Sequence, residues 1–174
     1  KIRIEEADCL YSGIMIDTNN FMSKAGVRTF EAAAFLRRNG ADVTRVRKLF
    51  REDAAEYKAK ADAVSQAEIY KQCFAISVCT NEDLQSPTIV GAQAANELLN
   101  IRGIKASFVL TDYQGKIYIS ARSIDEVNVQ LIMERMGGGG HMSIAACQME
   151  GTGLIEAIGV LKHVIDSMLE SGEI

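Results

Sequence analysis

Four consecutive glycines, Gly137 to Gly140, stand in the stretch GGGGHMSIAA (137–146) and constrain this chain more than any other feature. Glycine loses more backbone freedom on folding than any other residue. A folded chain keeps a run of it where left-handed angles or close approach are needed. Here the run follows a helical pattern, DEVNVQLIMERM, and leads into a second short one, MSIAA. Successive backbone N–H groups can then converge on an anion at a helix N-terminus. His141, at the edge of the run, adds a hydrogen-bond donor. The pattern predicts a phosphate or nucleotide cradle, against the alternative of a plain helix stop followed by a turn. Neither the dinucleotide fingerprint G-x-G-x-x-G nor a G-K-[ST] phosphate loop is present.

The rest of the chain reads as helices first and a mixed α/β pattern second. Residues 3–12 read as a helix ending at Gly13, followed by GIMIDTNNF, an apolar step onto Asp17 and a polar turn. Thr29 is placed to cap a helix through Arg38 that Asn39-Gly40 stops. From about Asp42 to Tyr70, Val43, Val46, Phe50, Ala54, Tyr57, Ala61 and Val64 recur three or four apart, the stripe of one long linker helix. Then the period changes. CFAISVC (73–79) reads as a buried strand, NEDLQSP as a loop and PTIVGAQAANELLN as a helix with proline in its first turn. IKASFVLTD and GKIYISARS form a strand pair through Tyr113-Gln114-Gly115. A helix over 125–136, the glycine run, a strand near CQMEG and a helix over about 154–169 complete the order β-α-β-β-α-β-α. The expected fold class is therefore α/β: a helical segment (1–41), a linker helix (42–71) and a small mixed sheet with packed helices (72–174).

Composition excludes several function classes. A net charge of −4 gives no basic field for coating nucleic acid. The cysteines Cys9, Cys73, Cys79 and Cys147 make no C-x-x-C pair, and with two histidines in the chain they argue against a zinc site. Cys73 and Cys79 lie in an apolar run and read as buried thiols of a reducing compartment. No run of 18 apolar residues is present. The chain opens on Lys1 in what reads as mid-helix, so it is expected to be a piece of a longer protein. Arg45, Arg47, Lys48 and Arg51 are followed by Glu52, Asp53 and Glu56 and read as a solvated face. Met133, Met136, Met142 and Met149 flank the glycines and read as core, and His163 reads as structural.

Three landmarks, GIMIDTNNF, the strand end SARS (120–123) and GGGGHMSIAA, stand in order, with the glycines 15 residues after Arg122. Together with GVRTFEAAAFLRRNGAD they resemble the DHH phosphoesterase superfamily. Within it they are most similar to the membrane-anchored cyclic-di-AMP phosphodiesterases of Gram-positive bacteria. Residues 1–41 resemble the end of the catalytic DHH domain, and 72–174 the DHH-associated domain of the first type. The resemblance implies a manganese-dependent hydrolase of bacterial signalling that cuts cyclic di-AMP to linear pApA. Asp17 matches an aspartate that is one ligand of its two-ion Mn2+ centre. The DHH triplet and the remaining ligands have no match here, so the metal site is expected to be incomplete and this piece inactive alone. Arg122, with Ser120 or Ser123, and Gly138, Gly139, Gly140 and His141 match the substrate cleft, and Asn128 is a further candidate. The expected partners are a cyclic dinucleotide or short oligonucleotide, an upstream DHH region and a second copy in a homodimer. The expected location is the cytoplasmic side of an anchored parent. The competing readings are a nanoRNase or single-strand exonuclease of the same superfamily, and an RNA-binding module like the end of alanyl-tRNA synthetases. Asp17 and the acidic charge argue against the last.

Overall fold

A computed structural model describes residues 2–80 and 84–174. Lys1 and residues 81–83 of the expected NEDLQSP loop lie outside the described residues. The elements are α1 (Ile4–Asp17), α2 (Val27–Arg38), α3 (Val43–Leu49), α4 (Ala54–Ser65), β1 (Glu68–Tyr70), β2 (Phe74–Cys79), α5 (Pro87–Leu98), β3 (Ala106–Tyr113), β4 (Lys116–Ser123), α6 (Val129–Arg135), β5 (Gly139–His141), β6 (Ile144–Glu150) and α7 (Leu154–Ser171). They form two compact units, Lys1–Glu52 and Asp53–Ile174.

In the first unit, α1 and α3 share a core of Ala7, Tyr11, Leu36, Ala41 and Val46 with α2. The buried Asp8 carboxylate organises it. It accepts from the Asp42 amide at 2.7 Å and from Arg45 Nε at 2.7 Å, while Arg45 Nη2 also reaches the Gly40 carbonyl at 2.8 Å. The Arg45 guanidinium and the Asp42 N–H hold the Asp8 carboxyl below its ordinary range. Arg45 is thus tied to Asp8 while itself half exposed, and Arg47, Lys48 and Arg51 are exposed as expected. α1 runs through Gly13 to Asp17, past its expected end. α2 begins at Val27, with Thr29 Oγ1 accepting from the Gly26 amide at 3.2 Å.

No single helix spans 42–70. Asp42 caps α3 through the Arg45 amide, the chain leaves the helix at Phe50, and Asp53 caps α4 through the Ala55 and Glu56 amides. Each aspartate satisfies donors that a continuous helix would have bonded internally, so the helix restarts. Residues 68–70 then pair with β2 as an edge strand.

The second unit is a six-stranded mixed sheet of order β1-β2-β3-β4-β6-β5. β2 and β3 are parallel, joined through α5, and the remaining neighbours are antiparallel. Gln114 (φ 52°) and Gly115 (φ 76°) make the two-residue turn between β3 and β4, the left-handed pair that suits strand twist. One face carries Phe108, Leu110, Ile117, Ile119 and Cys147 against α6 and α7, whose Leu161, Ile165 and Met168 lie on one helical stripe. Burying each such side chain contributes about 1.5–3 kcal/mol. The other face is covered over β2 and β3, where Ala75, Cys79 and Val109 meet Ala63 of α4 and Val90, Ala94 and Leu98 of α5. α5 lies close because Gly91 faces Thr111, where a Cβ would stand 2.5 Å from the hydroxyl.

MSIAA, expected as a helix, is instead the bend into β6 and the first residues of that strand. Alanine and methionine favour helix locally, but pairing with β4 overrides that preference: Ala145 opposes Ala121 and Cys147 opposes Ile119 in the core. Among the four methionines that flank the glycines, Met133, Met136 and Met149 join the core, while Met142 is 49% exposed. His163 is exposed on α7, not enclosed.

Candidate functional site

The β4 side chains alternate. Ile117, Ile119, Ala121 and Ser123 point into the α6–α7 core, and Tyr118, Ser120 and Arg122 point to the other face. Antiparallel register carries that face across the sheet. Tyr118 opposes Gln148, Ser120 opposes Ala146, and Arg122 opposes Ile144. Gly139 in turn opposes Ala146, and His141 opposes Ile144. Directly opposed residues share a face. Ser120 and Gly139 therefore flank Ala146, while Arg122 and His141 flank Ile144, as two adjacent rungs of one surface. α4 and α5 cover β2 and β3 on this side. Beyond them Tyr118, Ser120, Arg122, Ile144, Ala146 and Gln148 remain half-buried or exposed.

A cleft of about 470 Å³ opens on this shelf, lined among others by Thr88, Tyr118, Ser120, Gly138, Ala146 and Gln148. Arg122 stands one rung beyond it. Its Nε donates to Asn96 Oδ1 at 3.1 Å and its Nη1 to the Ala121 carbonyl at 2.9 Å, which leaves further guanidinium N–H groups for another acceptor. Among the described residues no carboxylate pairs with it. Partial burial lowers its pKa from the ordinary arginine range, so the cation is held where solvent screens it poorly.

The glycines divide by function. A Cβ on Gly138 would collide with the Ala146 carbonyl and with Cys147, and a Cβ on Gly140 (φ +146°) would stand 2.5 Å from Ala145 Cα. Both are needed for β5 to lie on β6. At Gly139 a Cβ would meet nothing within 4 Å. The glycine run thus has strand geometry, with no helix N-terminus behind it, contrary to the sequence expectation. Ser123 does not share the face of Ser120 and Arg122. It is 6% exposed, points to the opposite face, and its Oγ donates to the Met142 carbonyl at 3.3 Å. Asn128 is the N-cap of α6, accepting from the Gln130 amide at 3.1 Å.

In the first unit, Asp17 is the exposed last residue of α1. A carboxylate at a helix C-terminus opposes the helix dipole, a placement that a cation would relieve. Immediately after it, Asn19, Asn20 and Phe21 all have positive φ (46°, 56° and 66°). Such residues cost of order 1–3 kcal/mol each and cluster at functional sites. Thr18 Oγ1 donates to the Ile14 carbonyl (2.6 Å) and accepts from the Phe21 amide (3.0 Å), while the Phe21 ring stacks on Phe30 at 5.3 Å. Among the described residues no three His, Cys, Asp or Glu side chains stand together as a metal site. These residues do not by themselves fit a two-manganese centre.

Residues 72–170, from the approach to β2 to near the end of α7, match the family model of the DHHA1 domain. The chain belongs to the DHHA1 domain family. It is 43% identical over 163 residues to the cyclic-di-AMP phosphodiesterase PdeA of Listeria monocytogenes, covering 93% of this chain and 25% of that protein. It is 41% identical over 174 residues to the cyclic-di-AMP phosphodiesterase GdpP of Bacillus subtilis, covering 99% of this chain and 26% of that one. These matches place it in the DHH phosphoesterase superfamily. The chain spans about a quarter of the length of those relatives. An exopolyphosphatase-related protein from Bacteroides fragilis has the same fold, with a TM-score of 0.85 at 22% identity over 96% of this chain and 51% of its own. No helix among the described residues is long and apolar enough to cross a membrane.

Sequence reading missed Thr88, Tyr118 and Gln148 of the DHHA1 domain's cleft. The signal for Tyr118 was present: β4 is a strand, and the residue two before Ser120 shares its face. Gln148 and Thr88 arrive through β4–β6 pairing and the packing of α5, which no local pattern encodes.

Proposed function

We propose that this chain is the nucleotide-binding portion of a phosphodiesterase that hydrolyses cyclic di-AMP to linear pApA. The observation that carries the reading is Arg122. It is a partly buried guanidinium without a carboxylate partner among the described residues, on the same open face as Ser120, Gly139 and His141. A desolvated, unpaired cation beside a cleft suits a phosphate, which guanidinium N–H groups can grip in pairs. Ser120 Oγ and the His141 ring would add donors. Gly139 leaves the space that a phosphate oxygen would occupy.

The names of the relatives support the substrate. In this reading Asp17 is one ligand of a manganese centre whose other ligands come from the upstream DHH region. That region would also cover Leu10, Ile16, Met22 and Phe35, each more than half exposed. The chain by itself binds nucleotide without turning it over. A homodimer, and a membrane anchor elsewhere in the parent, complete the proposal.

The test is a calorimetric titration of this chain with pApA. Arg122→Ala is expected to leave the fold intact and to weaken binding by about 1.5–3 kcal/mol, the range for a charged hydrogen bond. Undiminished affinity in the folded variant would remove Arg122, and the phosphate site with it.

A further inference from the structure

We infer that the Tyr118–Gln148 end of the cleft is a purine subsite, in which the Tyr118 ring carries the base and the Gln148 amide selects adenine. This rests on the nucleotide-binding reading above and assigns residues to the part of the ligand which that reading leaves open. The shelf changes chemistry along its length. Its Arg122–His141 end carries a cation and an imidazole, and its middle rung carries Ser120 and Gly139. The far rung, Tyr118 with Gln148, is an aromatic ring beside an amide and carries no charge. Tyr118 lies four residues from Arg122, about 13 Å along an extended strand. That suits a ligand with a phosphate at one end and a flat ring at the other.

Three features make the far rung a built place for a base. Tyr118 is half-buried with its ring set against Tyr113 at 6.4 Å and 52°, so it is buttressed. The Gln148 side chain is exposed and makes no protein hydrogen bond among the described residues, so both its donor and its acceptor are available. Thr88, in the first turn of α5, closes the same cleft from the roofed side. A base stacks on an aromatic face whatever its identity. An amide adds selectivity: its oxygen accepts from adenine N6 and its nitrogen donates to N7, whereas guanine presents an acceptor at O6 where adenine presents a donor.

The experiment titrates the 174-residue chain with AMP, GMP and ribose 5-phosphate, followed by amide chemical shifts so that millimolar binding is measured. AMP is expected to bind more tightly than both others. Tyr118→Leu, which keeps an apolar side chain, should cost AMP and GMP alike roughly 5- to 150-fold and leave ribose 5-phosphate unchanged. Gln148→Met keeps the length of the side chain but loses both the acceptor for N6 and the donor to N7. It should erase the preference for AMP over GMP, with affinities scaled to those for ribose 5-phosphate. If both folded variants bind AMP as the wild type does while Arg122→Ala weakens all three ligands, the purine subsite is wrong and the phosphate site stands. If Arg122→Ala changes nothing, or no ligand binds, both are overturned.

Discussion

Three single substitutions in the glycine run separate what the fold needs from what a ligand needs. Gly138→Ala places a methyl into the Ala146 carbonyl and the Cys147 side chain, and both belong to β6, which is pinned between β4 and β5. Overpacking of this kind costs about 1–3 kcal/mol. Gly140→Ala meets the Ala145 backbone in the same way and must also hold φ at +146°, which adds about 1–3 kcal/mol. Gly139→Ala meets nothing and needs no left-handed angle, so restriction of the unfolded chain leaves it neutral or stabilising by about 0.4–1 kcal/mol. For a unit of this size each kcal/mol moves the melting temperature by about 3–5 °C. Circular dichroism melts should therefore rank Gly139→Ala at or above wild type, Gly138→Ala well below, and Gly140→Ala lowest. A Gly139→Ala variant as unstable as Gly138→Ala would refute the assignment of close approach to alternate glycines. With Gly139→Val on a stable fold, a loss of pApA affinity can then be ascribed to the filled cradle.

Asp8→Asn should loosen the first unit in a pH-dependent way. The folded carboxyl lies below its ordinary value of 3.8, so its contribution is complete above that value and is lost as pH falls through the lower folded one. Amide exchange in α1 and α3 should be faster in the variant at neutral pH, with the gap closing in acid; a gap independent of pH would exclude the Asp8–Arg45 tie as its source. Gly91→Ala gains up to about 1 kcal/mol of helix propensity but drives a methyl onto the stiff Thr111 side chain, at about 1–3 kcal/mol. Net destabilisation that Thr111→Ala relieves is the expected outcome in urea melts. Burial pushes the Cys147 thiol up to about 11, while Cys9 is exposed. At pH 8 a thiol reagent should modify Cys9 at once and Cys147 only on unfolding; early labelling of Cys147 in the native protein would contradict the packing of β6.

Much of the second unit was legible because its signals are local. Pro87 opens α5, the Gln114-Gly115 turn fixes the β3–β4 pair, and the alternation in KIYISARS sorts Ser120 and Arg122 from the core residues. What escaped depends on contacts distant in sequence. The stripe from Val43 to Val64 continues through the break at Phe50, because apolar spacing does not register that Asp53 can start a helix anew. β6 reads as helix until its partner β4 is known, and β1 is three mostly exposed residues whose only reason to extend is β2. Ser120 and Ser123 could not be separated by matching to SARS; the parity of the strand does so, sending Ser123 inward. Thr88, Tyr118 and Gln148 share a cleft without sharing any sequence neighbourhood.

Both margins of the sheet are very short. β1 and β5 are three residues each, against six to eight for the four strands between them. An unpaired margin is a template on which a foreign strand can add, and its hazard grows with its length. At one side the next chain would find Glu68 and a brief ladder; at the other it would find two glycines and a histidine, poor material for extension. The open shelf beside β5 can therefore stay uncovered in a crowded cell without recruiting neighbours into a growing sheet. That short margin and the proposed ligand face share the same residues. A designer who lengthened or stiffened β5 to strengthen the fold would be building an aggregation seed at the mouth of the cleft.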